Sequence, residues 1–125
     1  MIRRSCIVLA LALSSCGRPP RSAGNLLPAS VAGAWQRTSL RDIPPPKPTI
    51  TRAFEADYQG AGKLTVDLYE AKVSGTAFEM TQHLRSAPDT VFFDKDRYFV
   101  VMKWQQADRP ALTAFVRAMQ KNLEQ

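Results

Sequence analysis

From Thr51 to Glu70 apolar and polar residues alternate with a period of two. In residues 52–58 (R-A-F-E-A-D-Y), Phe54, Ala56 and Tyr58 fall on one face, Glu55 and Asp57 on the other. In residues 63–70 (K-L-T-V-D-L-Y-E), Leu64, Val66 and Leu68 point one way, Thr65 and Asp67 the other. That period marks half-buried strands. Gln59-Gly60-Ala61-Gly62 lies between them and carries two glycines free to adopt positive φ, so a β-hairpin is expected. The pattern then lengthens. Thr76-Ala77-Phe78-Glu79 fits a capping box, in which a threonine hydroxyl and a glutamate carboxylate satisfy each other's free backbone amides. A helix is expected from about Ala77 to Arg85, presenting Ala77, Met80, Thr81 and Leu84, with Pro88 closing it.

Two further strands follow, Thr90–Phe93 and Tyr98–Trp104, around the polar turn Asp94-Lys95-Asp96-Arg97. In the second, Tyr98, Val100, Met102 and Trp104 share one face, Phe99, Val101 and Lys103 the other. Apolar residues on both faces imply a strand covered twice. The last element has the clearest helical spacing. Asp108 suits an N-cap, Pro110 suits the first turn, and Leu112, Phe115, Val116, Met119 and Leu123 recur along one stripe. Strand, strand, helix, repeated once, predicts an α+β fold: an antiparallel sheet of about four strands in ββαββα order, with two helices mainly on one face.

The region before Thr51 is less regular. Residues 17–30 are rich in Pro, Gly, Ser and Arg and lack a periodic apolar face, so they read as a solvated tether, with the domain spanning 31–125. Trp35 is the first large apolar residue of that domain. Pro44-Pro45-Pro46 forces polyproline II and reads as a connector across the surface; a docking segment for an aromatic-lined groove is the competing reading.

Composition narrows the class. The chain has 125 residues and a formal charge of +6. The basic residues Lys63, Lys72, Arg85, Lys95, Arg97, Lys103 and Arg117 are scattered among acids, which argues against a nucleic-acid surface. Only Cys6 and Cys16 are present. Both precede the domain, which therefore has no disulfide and no thiolate metal site.

Those two cysteines belong to a distinctive N-terminus. Arg3 and Arg4 form a positive n-region and Cys6–Leu13 a short apolar run. The run is about half the ~20 residues a spanning helix needs. It ends in Leu13-Ser14-Ser15-Cys16, which resembles the lipobox of bacterial lipoproteins. The resemblance implies a signal peptide over residues 1–15, cleavage before Cys16, a diacylglyceryl group on the Cys16 sulfur and fatty acylation of the new amino terminus. Ser5-Cys6-Ile7 after the arginine pair lacks the aromatic of a twin-arginine signal, which favours the general secretory route. Gly17 in place of an aspartate implies the outer membrane, facing the periplasm, in an organism with two membranes. Losing Arg3 and Arg4 leaves a mature charge of about +4, which allows a modest attraction to anionic headgroups. The remainder resembles the small α+β domains carried behind lipoboxes, and no activity attaches to it by resemblance.

Candidate chemistry is thin. Glu79 and His83 share a helical face at ligand spacing, but two ligands are too few for a metal. Asp94 and Asp96 open like a calcium loop without its glycine or terminal glutamate. Gly60-Ala61-Gly62 joins two strands rather than opening a helix, so it is no phosphate loop. No nucleophile sits in a recognisable catalytic setting. Aromatics are plentiful, and Trp35, Tyr58, Tyr98 and Trp104 are the candidate ligand or partner face should one sheet face lie open. The expected function is a non-catalytic, membrane-tethered envelope lipoprotein that binds another envelope component, without cofactor, metal or nucleic acid. A carrier or sensor of a small apolar ligand is the alternative, and a hydrolase ranks third.

Overall fold

The computed structural model describes residues 20–124. Its elements are α1 (Ala23–Leu26), β1 (Ser30–Val31), β2 (Trp35–Asp42), β3 (Ile50–Gly60), β4 (Gly62–Ala71), α2 (Ser74–His83), β5 (Thr90–Lys95), β6 (Tyr98–Ala107) and α3 (Arg109–Leu123). The fold is α+β, and every strand pairing is antiparallel. The sheet has six strands in the order β1-β2-β3-β4-β6-β5, rather than the four expected. The expected strand-strand-helix repeat is preceded by α1, β1 and β2.

The alternation in β3, β4 and β6 decides what each face becomes. Phe54, Ala56, Tyr58, Leu64, Val66, Leu68, Val100 and Met102 point to one side and are buried there with Trp35 and with Leu112, Phe115, Met119 and Leu123 of α3. We call this the inner face. α3 forms as expected: the Asp108 carboxylate accepts the Ala111 N–H at 3.2 Å and a proline occupies the first turn. Tyr69, Phe92, Phe99 and Val101 point to the opposite, outer face, where they meet Ala77 and Met80 of α2. The two long helices therefore lie on opposite faces, not on one. The residues of β6 dictate this, because Phe99 and Val101 need apolar cover that α3, on the other side, cannot give.

α2 starts three residues earlier than expected, at Ser74, and ends at His83. Its N-cap is Val73, with no side-chain hydrogen bond, so the Thr76–Glu79 capping box does not form. Leu84, expected on the packed stripe, lies beyond the helix and is exposed.

The segment expected as a tether is also corrected over its second half. Leu26 and Leu27 are fully buried. Arg21 donates to the Asn122 carbonyl (2.9 Å), and Asn122 Nδ2 donates back to the Asn25 carbonyl (3.0 Å). The Tyr58 hydroxyl donates to the Pro28 carbonyl (2.7 Å) and the Arg37 amide to Ala29 (2.8 Å). Two adjacent leucines suffice to pin a Pro- and Gly-rich stretch when they fill the end of a core. Residues 1–19, with the signal and Cys16, lie outside the described residues. Pro44-Pro45-Pro46 carries no regular structure and runs exposed, as a connector would.

Candidate functional site: the uncovered half of the outer face

α2 covers only one half of the outer face. Beyond it, cross-strand register builds two polar rows. In the first, Arg41 of β2 pairs with Glu55 of β3, Glu55 with Asp67 of β4, and Asp67 with Val101 of β6. In the second, Ser39 pairs with Asp57, Asp57 with Thr65, and Thr65 with Lys103. The rows are tightly bonded. Asp57 accepts from Ser39 Oγ (2.8 Å), Thr65 Oγ1 (2.8 Å) and Arg41 Nη1 (3.3 Å). The Arg41 guanidinium also donates through Nε to Glu55 (2.8 Å) and through Nη1 to Ser39 Oγ (2.7 Å).

Glu55 and Asp67 stand directly opposite each other, an arrangement that destabilises a strand pair when both carry charge. A proton resolves it. Burial first, and then the hydrogen bond and charge of Glu55, push the Asp67 carboxyl up to about 7. Glu55 goes the other way: the hydrogen bond from Asp67, with help from Arg41, outweighs burial and holds it below its usual range. Asp67 Oδ1 is sealed from solvent and has no hydrogen-bond partner among the described residues. Asp57 stays below its ordinary value, since the hydrogen bonds from Thr65, Ser39 and Arg41 together outweigh its burial. A carboxyl near 7 is acid–base competent in principle.

Beside the rows lies a depression of about 420 Å³ whose lining includes Thr38, Asp57, Gln59, Lys63, Lys103 and Gln105. Register shifts in β2 at Thr38 and in β6 at Gln105 border it. Each leaves one residue unpaired and increases the local twist, which hollows the surface between them. Lys63 and Lys103 are exposed and form no ion pair among the described residues. Tyr58, Leu64, Thr65 and Trp104 complete the lining, so the hollow presents amide, hydroxyl and free ammonium groups alongside apolar surface, with its carboxylate already satisfied.

The residues singled out from sequence lie elsewhere. Trp35 and Tyr58 are fully buried and Tyr98 is nearly so, all on the inner face. Trp35 Nε1–H donates to the Ala111 carbonyl (3.1 Å), and both Trp35 and Tyr58 meet Phe115 edge-on, at 5.7 and 5.0 Å. These aromatics are core, not an open face, because α3 covers them. Trp104 alone is half-exposed. It borders the polar depression and also a cleft of about 380 Å³ lined by Val91, Leu112, Val116 and Arg109. Comparison with known protein families, curated proteins and solved structures finds no match. Glu79 and His83 are exposed, and no group of three potential metal-ligating side chains occurs among the described residues. Cys16 lies outside them. No helix among them is long and apolar enough to cross a membrane.

A second ionic cluster sits at the far end of β4. Glu70 is buried between Arg52 and Arg97, and the Arg52 guanidinium lies 5.3 Å from the Phe54 ring centroid.

Sequence reasoning missed Arg41, Glu55, Asp57, Asp67 and Lys103. A signal for the acids was present. With strands meeting at Gly60-Ala61-Gly62, positions symmetric about Ala61 face each other, and 55 and 67 are such a pair.

Proposed function

We propose that the protein is a non-catalytic envelope module, tethered to the membrane by lipid on Cys16, which binds another envelope component through the uncovered half of its outer face. The observation that carries this reading is the bonded polar ladder beside a hollow with two lysines, unpaired among the described residues, on a sheet half that no helix among those residues covers. A rigid surface with unspent donors suits recognition, since little ordering is required on binding. The Leu13-Ser14-Ser15-Cys16 ending supports the tether and an outer-membrane, periplasm-facing address. Arg21 is already bonded to Asn122, so a lipid on Cys16 would hold the domain within about 18 Å of the headgroups even with the chain between fully extended.

The test compares full-length wild type, Cys16→Ser and Lys63→Glu/Lys103→Glu. Wild type should label with fatty acid and fractionate with membranes, and Cys16→Ser should do neither. Affinity capture from envelope extracts should recover a component that the double lysine variant loses. Identical captured material from both would defeat the binding reading. The alternative, a carrier of a small apolar ligand, draws support from the Trp104 cleft. Quenching or a blue shift of Trp104 fluorescence on adding a fatty acid, absent in Trp104→Phe, would favour it.

A further inference from the structure

The β5 edge offers a template that only certain strands can match. Among the described residues β5 pairs with β6 alone, so its other side is a sheet edge. The Trp104 amide donates to the Asp89 carbonyl (3.1 Å), which fixes the phase of the ladder. Pairs alternate in an antiparallel ladder, so Asp89, Val91, Phe93 and Lys95 bond toward β6, while the N–H and C=O groups of Thr90, Phe92 and Asp94 point outward. Among these, the Thr90 amide is taken by the Ala87 carbonyl (3.2 Å), and no backbone partner meets the amides of Phe92 and Asp94 among the described residues. All six β5 residues are half-buried, with none fully covered.

We propose that β5 pairs antiparallel with β5 of a second copy of this chain, in a register centred on Phe92. Two constraints select that register. Outward-bonding residues must meet outward-bonding residues, which limits the two-fold axis to a few positions. Among those, centring on Phe92 places Lys95, whose ammonium lies 3.3 Å from the Glu124 carboxylate of its own chain and would be shared with the second acid, opposite Asp89 of the other copy, Val91 opposite Phe93, and Phe92 opposite itself. Moving the axis one residue toward Val91 sets Asp89 against Phe93. Moving it one residue toward Phe93 sets Lys95 against Val91. Only the Phe92-centred register matches charge with opposite charge and apolar with apolar. It forms two backbone bonds at the Phe92 pair and one, from the Asp94 amide to the Thr90 carbonyl, on each side. Phe78 adds to the contact. It is 54% exposed and lies one helical turn before Thr81, whose hydroxyl donates to Asp94 Oδ1 at 3.0 Å, so it stands on the β5 side of α2. A six-residue edge with one flanking aromatic falls short of the ~1,200–2,000 Å² of a standard interface. The pairing is therefore a weak, reversible one, and it does not depend on what the polar face binds.

Cysteine pairing in cells reads the register directly. Asp89 and Lys95 of the two copies would form a non-hydrogen-bonded pair, in which opposed side chains come closest. Full-length chains carrying Asp89→Cys and Lys95→Cys, co-expressed and oxidised, should give a disulfide dimer several-fold more abundant than either variant alone. Asp89 just precedes β5 and Lys95 ends it, and neither belongs to a core cluster, so a cysteine there does not disturb the core. Phe92→Cys should cross-link with itself. The charge match is tested separately: Asp89→Lys should reduce the Phe92→Cys dimer several-fold, and adding Lys95→Asp should restore it. A mixed pair that cross-links no better than the single variants overturns the proposal, as does a Phe92→Cys dimer insensitive to the charge reversal.

Discussion

Asp67→Asn tests the carboxyl pair. Asp67 in the folded protein holds its proton up to about 7, well above the ordinary carboxylate range. A folded-state value raised in this way adds stability at low pH that is lost as pH climbs toward 7, because the unfolded chain ionises Asp67 freely and the folded chain resists. Taken at full weight the displacement amounts to about 4 kcal/mol. Asp67 is only half-buried and Lys103 stands nearby, so screening reduces it to ~1–2 kcal/mol. Asparagine keeps the shape, cannot ionise, and retains an N–H to donate to Glu55. The variant should match wild type near pH 4 and exceed it by ~1–2 kcal/mol at pH 8, with the difference developing between about pH 4 and 7. Glu55 and Asp57 have the opposite sign: both lie below their usual values, so they stabilise above the carboxylate range and their contribution disappears as pH falls through it, in both proteins. Urea melts at half-unit pH intervals measure this. A wild type and variant offset by the same amount at pH 4 and pH 8, or a variant weaker at pH 8, would show that no proton is shared.

Three further outcomes follow from packing and backbone geometry. Phe115→Ala removes a fully buried ring that Trp35 and Tyr58 both meet edge-on, and should lower stability by roughly 3–5 kcal/mol in a urea melt; an unchanged midpoint would mean that α3 is not core. Leu26→Ala should cost ~2–5 kcal/mol, and the Leu27 amide, bonded to the Ala23 carbonyl at 2.8 Å, should be strongly protected in hydrogen exchange, whereas a free tether would show neither. Gly62→Ala should cost ~1–3 kcal/mol or more by thermal melt, because Gly62 sits at φ +153° and an added Cβ would overlap the Gln106 carbonyl oxygen of the neighbouring strand.

What was legible in the sequence depended on whether a residue's surroundings were local. The inward sets of β3, β4 and β6 and the stripe of α3 follow from periodicity alone, and they pack as expected. β2 was not legible. Its W-Q-R-T-S-L-R-D run sets Trp35 and Arg37 inward, and the register shift at Thr38 then moves Leu40 and Asp42 to that face, so no single period fits. The buried role of Leu26 and Leu27 was equally hidden, since it depends on Asn122 and Tyr58, distant in sequence. Trp35, Tyr58 and Tyr98 are buried where an open face is expected, because nothing local says which sheet face α3 will cover.

The position of the uncovered half can nonetheless be read along one strand. On the outer face of β6 the residues run Phe99, Val101, Lys103, with Gln105 next to it at the register shift. The first two are packed under α2, and Lys103 and Gln105 are exposed. The same change occurs along β4, from Tyr69 through Asp67 to Thr65 and Lys63, and along β3, from Ala53 to Glu55, Asp57 and Gln59. Three neighbouring strands turn from apolar to polar along the same line, where α2 ends its cover. A helix long enough to continue across that line would bury Glu55, Asp57 and Lys103 at several kcal/mol each without new partners. The short α2 and the polar ladder are thus two expressions of one constraint, and the hollow beside Lys63 and Lys103 lies where that constraint leaves the sheet open.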